Sequence, residues 1–154
     1  MNTAVETERK RVDGKKPVKL DNILFATDFS PASEAALGYA LSIARHYDSK
    51  LFVAHVIRPD LYQMLPPENL TGVLEQIRHY AEQEMANLLI SGRLRGIPHE
   101  ILLEQGQFWS VLSGMMEKND IDLVVVGTRG APAFRSSCSD RSLRRSFVFL
   151  IAPC

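Results

Sequence analysis

Apolar residues along this chain fall in two alternating rhythms: short unbroken runs, and longer stretches in which they recur every three or four positions. The first rhythm suits strands buried on both faces and the second suits amphipathic helices, so strand and helix are expected in turn. Within Leu20 to Asp28, the run Ile23-Leu24-Phe25-Ala26 predicts a first strand ending at Thr27-Asp28. Ser30 is placed to cap a helix opened by Pro31, in which Ala36, Leu37, Ala40, Leu41 and Ala44 form one stripe reaching about Tyr47. Leu51 to Ile57 predicts a second strand, and the excursion through Pro59, Pro66 and Pro67 an irregular loop, because proline has no N–H for a ladder. From about Asn69, the positions Leu70, Val73, Leu74, Ile77, Ala81, Leu88 and Leu89 outline a long second helix, with Gly96 placed to stop it and Pro98 to prevent its resumption.

Glu100 to Glu104 is a weaker third strand, and Phe108, Val111, Leu112, Met115 and Met116 mark a third helix ending near Lys118-Asn119-Asp120. Ile121-Asp122-Leu123-Val124-Val125-Val126 then forms the densest β-branched run and leads directly into Gly127-Thr128-Arg129-Gly130. Strands alternating with helices in this order imply right-handed crossovers, hence an α/β fold with a doubly wound parallel sheet. The pattern dissolves after Gly130, where Phe134 to Ser146 holds Arg135, Arg141, Arg144, Arg145, five serines and Cys138. The chain therefore divides into a disordered basic leader at 1–19, an α/β domain at 20–130 and a divergent C-terminal segment of the same domain at 131–154. Phe147 to Ile151 has the composition of a strand, and equally that of an exposed sticky tail.

Composition adds modest bounds. With 154 residues, one core is the default, and a formal net charge of zero supplies no global field toward nucleic acid or an anionic membrane. Any anion site must be local. Cys138 and Cys154 offer neither a disulfide framework nor a metal spacing, which suits the cytoplasm, and the leader's Arg9-Lys10-Arg11 and Lys15-Lys16-Pro17 lack the apolar core of a signal or span.

In a doubly wound sheet, ligands bind beyond the carboxyl ends of the strands where the winding reverses, which directs attention to Asp28 and to Gly127 through Gly130. A Gly-x-x-Gly turn can bring bare N–H groups to a phosphate, and an ordinary strand-to-helix turn explains the same residues. Asp28 can likewise serve only to organise the turn before Ser30. His55, inside an apolar strand, is read as a structural residue with no catalytic role, and no P-loop lysine, Gly-x-Gly-x-x-Gly or catalytic triad spacing is present. An enzyme is thus the class with least support.

Asn22-Ile23-Leu24-Phe25-Ala26-Thr27-Asp28-Phe29-Ser30, then His55-Val56 within Leu51 to Ile57, then Asp122 through Gly130, resemble the universal stress protein family over about residues 20–130. The resemblance implies a Rossmann-like, adenine-nucleotide-binding domain of the stress response that takes ATP, with Mg2+ when bound. Carried over, it implies Asp28 at the ribose or adenine, the Val56 backbone at the adenine edge, and Gly127 and Gly130 at the phosphates, with Thr27, Val126 and Arg129 lining the cleft. It also implies a homodimer through the final strand, weakened where that strand is lost.

The ATP-binding branch of that family has Gly-x2-Gly-x9-Gly-Ser/Thr, whereas Asp140-Arg141 stands here at the second glycine pair. A reading-frame shift near codon 131 accounts for both match and failure. Reading the third base of each codon with the first two of the next, across Pro132 to Val148, a permitted codon choice spells Gly-Leu-Ser-Glu-Leu-Leu-Leu-Gly-Ser-Val-Ala-Glu-Glu-Ile-Phe-Arg. Residue 131 and the eight junctions from 131/132 to 138/139 leave nine positions between Gly130 and that Gly-Ser. The expected consequences are weakened nucleotide binding and a fourth strand left partly wet, at roughly 25 cal/mol per Å² of apolar surface not buried. The alternative function is a nucleotide-independent interaction protein of the same fold.

Overall fold

The computed structural model describes residues 18–127 and the backbone of 148–152. The elements are β1 (Asn22–Ala26), α1 (Pro31–Tyr47), β2 (Lys50–Ile57), a 3-10 turn (Pro59–Tyr62), α2 (Pro67–Ile90), β3 (His99–Gln105), α3 (Phe108–Lys118), β4 (Leu123–Gly127) and β5 (Val148–Ala152). The strands form one five-stranded sheet in the order β3-β2-β1-β4-β5. Every neighbouring pair is parallel.

Alternation along the strands builds two cores. Ile23, Phe25, Leu51, Val53, Leu123 and Val125 face α1 and α2, burying Leu37, Ala40, Ala44 and Met85 against them. Leu24, Phe52, Ala54, Val124 and Val126 face the other way, against Leu112, Met115 and Met116 of α3. The chain winds outward from β1 through α1 and α2 on one face, and α3 then returns it across the other face to β4. The winding reverses between β1 and β4, as a doubly wound α/β sheet requires.

The helix start at Ser30 follows its chemistry: the Ser30 hydroxyl accepts from the Ser33 N–H (3.3 Å) and Pro31 opens the first turn. Three expectations change. The proline excursion is partly regular, with Pro59 opening the 3-10 turn and Pro67 opening α2, because the first turn of a helix has no use for the N–H that proline lacks. Helix α2 ends at Ile90 rather than near Gly96; Gly92 and Gly96 both adopt positive φ in the turns that follow. Leu89 is exposed and Met85 is buried in the stripe instead.

Strand β4 is not wet, since Leu123 through Val126 are at most 4% exposed. Of the two readings of Phe147 to Ile151, the strand holds: Val148–Ala152 pairs with Leu123 through Gly127 along the whole length of β4. The leader to residue 17, residues 128–147 and residues 153–154, and with them Arg129, Gly130, both cysteines and the four tail arginines, lie outside the described residues.

Candidate functional site at the winding reversal

Strand β1 gives way to a turn whose polar groups are tied to one another. The Asp28 N–H donates to Ser33 Oγ (3.2 Å), the Phe29 N–H to Thr27 Oγ1 (3.0 Å) and the Ser30 N–H to Asp28 Oδ1 (3.0 Å). Ser33 Oγ also donates to Asp28 Oδ1. Ser33 is 2% exposed, so the hydroxyl that fixes the Asp28 carboxylate is itself locked in place by packing. Partial burial pushes the Asp28 carboxyl upward, but the hydrogen bonds from Ser30 and Ser33 outweigh it and hold the pKa below the ordinary aspartate value. Asp28 is therefore an ionised, pre-oriented acceptor.

Beside it, β2 runs on past the end of β1. The last β1 partner of β2 is Ala26, opposite Ala54, and the Thr27 N–H closes the ladder on the Ala54 carbonyl (2.9 Å). Backbone groups alternate sides along a strand, so the N–H and C=O of Val56 point the same way as those of Ala54, past the end of β1. The Thr27 carbonyl is bonded to His55 Nδ1 (2.8 Å). The Val56 side chain is buried in the α3 core, so only its main chain faces the reversal.

His55 is an organising residue. Its ring lies 4.6 Å from the Phe29 ring at 31°, and Phe29 meets Tyr80 of α2 edge-on at 5.9 Å. Burial lowers the imidazole pKa, with the Thr27 carbonyl and the Asp28 charge opposing in part. Phe29 holds φ 61°, a left-handed conformation that costs a bulky residue about 1 kcal/mol or more.

Gly127 closes the site from β4. A Cβ on it would stand 2.1 Å from the Ala32 carbonyl oxygen and 2.6 Å from the Ser33 nitrogen, so β4 approaches the first turn of α1 backbone to backbone. Val126 is 4% exposed and pairs with Ala26 on one side and Ile151 on the other. Thr27, Asp28, Val56, Val126 and Gly127 are thus brought together at one end of the sheet. Ser33, Phe29 and Tyr80 were missed in the sequence; the signal for Ser33 was its place three residues after a capping serine. A separate crevice of about 260 Å³ lies on the α1/α2 face, floored by Phe25, Leu37 and Leu88 and spanned by the Glu34–Arg93 ion pair (2.6 Å). It reaches Thr27 and Phe29 but does not include Asp28, Val56 or Gly127.

A parallel doubly wound sheet whose winding reverses between β1 and β4 defines a Rossmann-like α/β protein. The chain belongs to the universal stress protein family, which matches residues 19–148. It is 34% identical over 109 residues to universal stress protein A of Salmonella typhimurium, covering 69% of this chain and 74% of that protein. Among solved structures, a universal stress protein family member from Burkholderia pseudomallei superposes with TM-score 0.65 at 21% identity, covering 86% of this chain and 97% of that one. A family protein of Arabidopsis thaliana with AMP bound gives TM-score 0.57 at 17% identity, covering 86% of this chain and 92% of that one.

Proposed function

We propose that this protein is an adenine-nucleotide-binding module of the stress response, acting in the cytoplasm by nucleotide-dependent association, as a homodimer, rather than by turnover. The carrying observation is the juxtaposition of the pre-oriented Asp28 carboxylate with the main chain of β2 at Val56, beyond the last residue of β1 that pairs with it. Asp28 serves the ribose or adenine, Val56 the adenine edge, and Thr27 and Val126 the walls, with Gly127, Arg129 and Gly130 toward the phosphates of ATP and its Mg2+. The AMP-bound Arabidopsis relative supports an adenine ligand on this fold.

A reading-frame shift near codon 131 supplies the reason the second half of the phosphate motif is missing, and binding is weakened accordingly. Genomic DNA whose codons cannot spell Gly-Ser nine positions after Gly130 would remove that explanation. For the binding itself, calorimetric titration should show ATP uptake by the full chain, reduced at least tenfold in Asp28→Ala at an unchanged circular dichroism spectrum. No uptake at millimolar ATP would overturn it. The broken motif favours a second reading, a nucleotide-independent interaction protein, which predicts a solution mass unaffected by ATP.

A further inference from the structure

We infer that Tyr80 of α2 positions the Asp28 carboxylate from outside the turn, by clamping Phe29 in its left-handed conformation, so that the seating of α2 tunes ligand affinity. The effect on affinity rests on the nucleotide reading above; the clamp does not. Asp28 Oδ1 accepts from the Ser30 N–H (3.0 Å) across Phe29, which stands between them at φ 61°. Such a side-chain turn imitates a backbone turn whose third residue takes positive φ, where glycine is the unstrained choice. A phenylalanine holds that φ only where its surroundings fix it.

Two rings fix it here. One is His55, 4.6 Å from the Phe29 ring at 31° and itself tied through Nδ1 to the Thr27 carbonyl (2.8 Å). The other is Tyr80, edge-on at 5.9 Å and 89°. The Phe29 N–H also donates to Thr27 Oγ1 (3.0 Å), which ties the main chain but not the ring. The two ring neighbours are anchored differently. His55 belongs to an interior strand of the sheet, whereas Tyr80 is carried by α2, whose buried residues are Ala81 and Met85. The helix thus meets the core at the turn that carries Tyr80. The crevice of about 260 Å³ on the α1/α2 face is lined by Phe29 itself, so the ring has room to leave its place once Tyr80 no longer holds it. With Phe29 released to an ordinary negative φ, the Ser30 N–H turns away from Asp28 Oδ1, and the carboxylate loses one of the bonds that orient it.

The test combines NMR titration of Asp28 with calorimetric titration of Mg2+-ATP, on the full chain and its variants. Tyr80 is 53% exposed, so truncating it spares the core. Tyr80→Ala should move the Asp28 pKa up toward the ordinary aspartate value as the hydrogen bond from Ser30 is lost, and weaken ATP binding about three- to tenfold. Tyr80→Phe, which keeps the ring, should restore both. Phe29→Gly takes the left-handed conformation without any ring, so in that background Tyr80→Ala should change neither quantity. An Asp28 pKa unmoved by Tyr80→Ala would overturn the inference, as would an effect of the same size in the Phe29→Gly background. So would an ATP affinity unchanged by Tyr80→Ala in a parent chain that binds ATP. A parent chain that takes up no ATP overturns the nucleotide reading alone, and the Asp28 pKa in the same set of chains still decides whether Tyr80 acts through Phe29.

Discussion

At the scale of single residues, the turn after β1 shows how one position can serve fold and site together. Gly127 looks like a phosphate glycine in the sequence, yet its demand is steric: any side chain meets the Ala32 carbonyl. Gly127→Ala should therefore destabilise the protein by about 1–3 kcal/mol, the usual range for forced overpacking, read as a lowered midpoint in urea or heat. A variant with unchanged stability would show that the α1 turn can retreat. His55 and Asp28 carry signed pH effects. The imidazole pKa is lowered by burial, so the unfolded chain binds the proton more readily, and stability declines as pH falls below the unfolded histidine value of about 6.5. Phe29→Ala strips one face of that ring, and NMR titration should find the His55 pKa moved up toward the unperturbed value. For Asp28 the folded pKa is also depressed, and its contribution, present above about pH 3.9, is lost as pH falls through the folded value. Asp28→Asn should flatten that acid limb in unfolding curves.

At the scale of elements, helix α2 is loosely packed for its length. Its first turn begins on Pro67 after Pro66 with no side-chain cap, and only Ala81 and Met85 are buried along 24 residues. Leu70, Val73, Leu74 and Ile77 keep the periodicity seen in the sequence but none of them is fully buried. Periodicity reports which face turns inward, not how closely the sheet lies beneath it, so this difference could not be read from the residues alone. The same limit explains the misplaced end of the helix: Gly96 is a good stop, but Gly92 comes first and takes the left-handed turn. Gly72 sits in the second turn of α2 with open space where a side chain would project, a Cβ there meeting nothing within 4 Å beyond its chain neighbours and the helix's own nearby backbone. Gly72→Ala should therefore stabilise the protein by roughly 0.5–1 kcal/mol in chemical denaturation. A loss of stability there would mean the helix start is frayed or differently placed. Strands and the other two helices were legible because their apolar runs and caps are dense and agree with each other.

At the scale of the whole molecule, the sheet continues on the β4 side with β5, Val148–Ala152, paired along the whole length of β4. An apolar run beside a buried strand can find that edge whatever its origin, which is why composition alone left strand and sticky tail equally open. The candidate site was legible only in part: Asp28 and Gly127 stand at the strand ends to which the winding rule directs attention, Val56 was named only through the family resemblance, and Ser33 and the engagement of the turn's N–H groups depend on three-dimensional closure. A chain carrying the neighbouring-frame sequence from the 131/132 junction onward tests how the two halves combine. It would add a Gly-Ser at the start of a helix, with the free N–H groups that the α1 turn has already committed. ATP should then bind at least tenfold more tightly than to the present chain, with a salt dependence that reports the added phosphate contacts. Equal ATP affinity in the two chains would show that the neighbouring frame does not hold the missing half of the site.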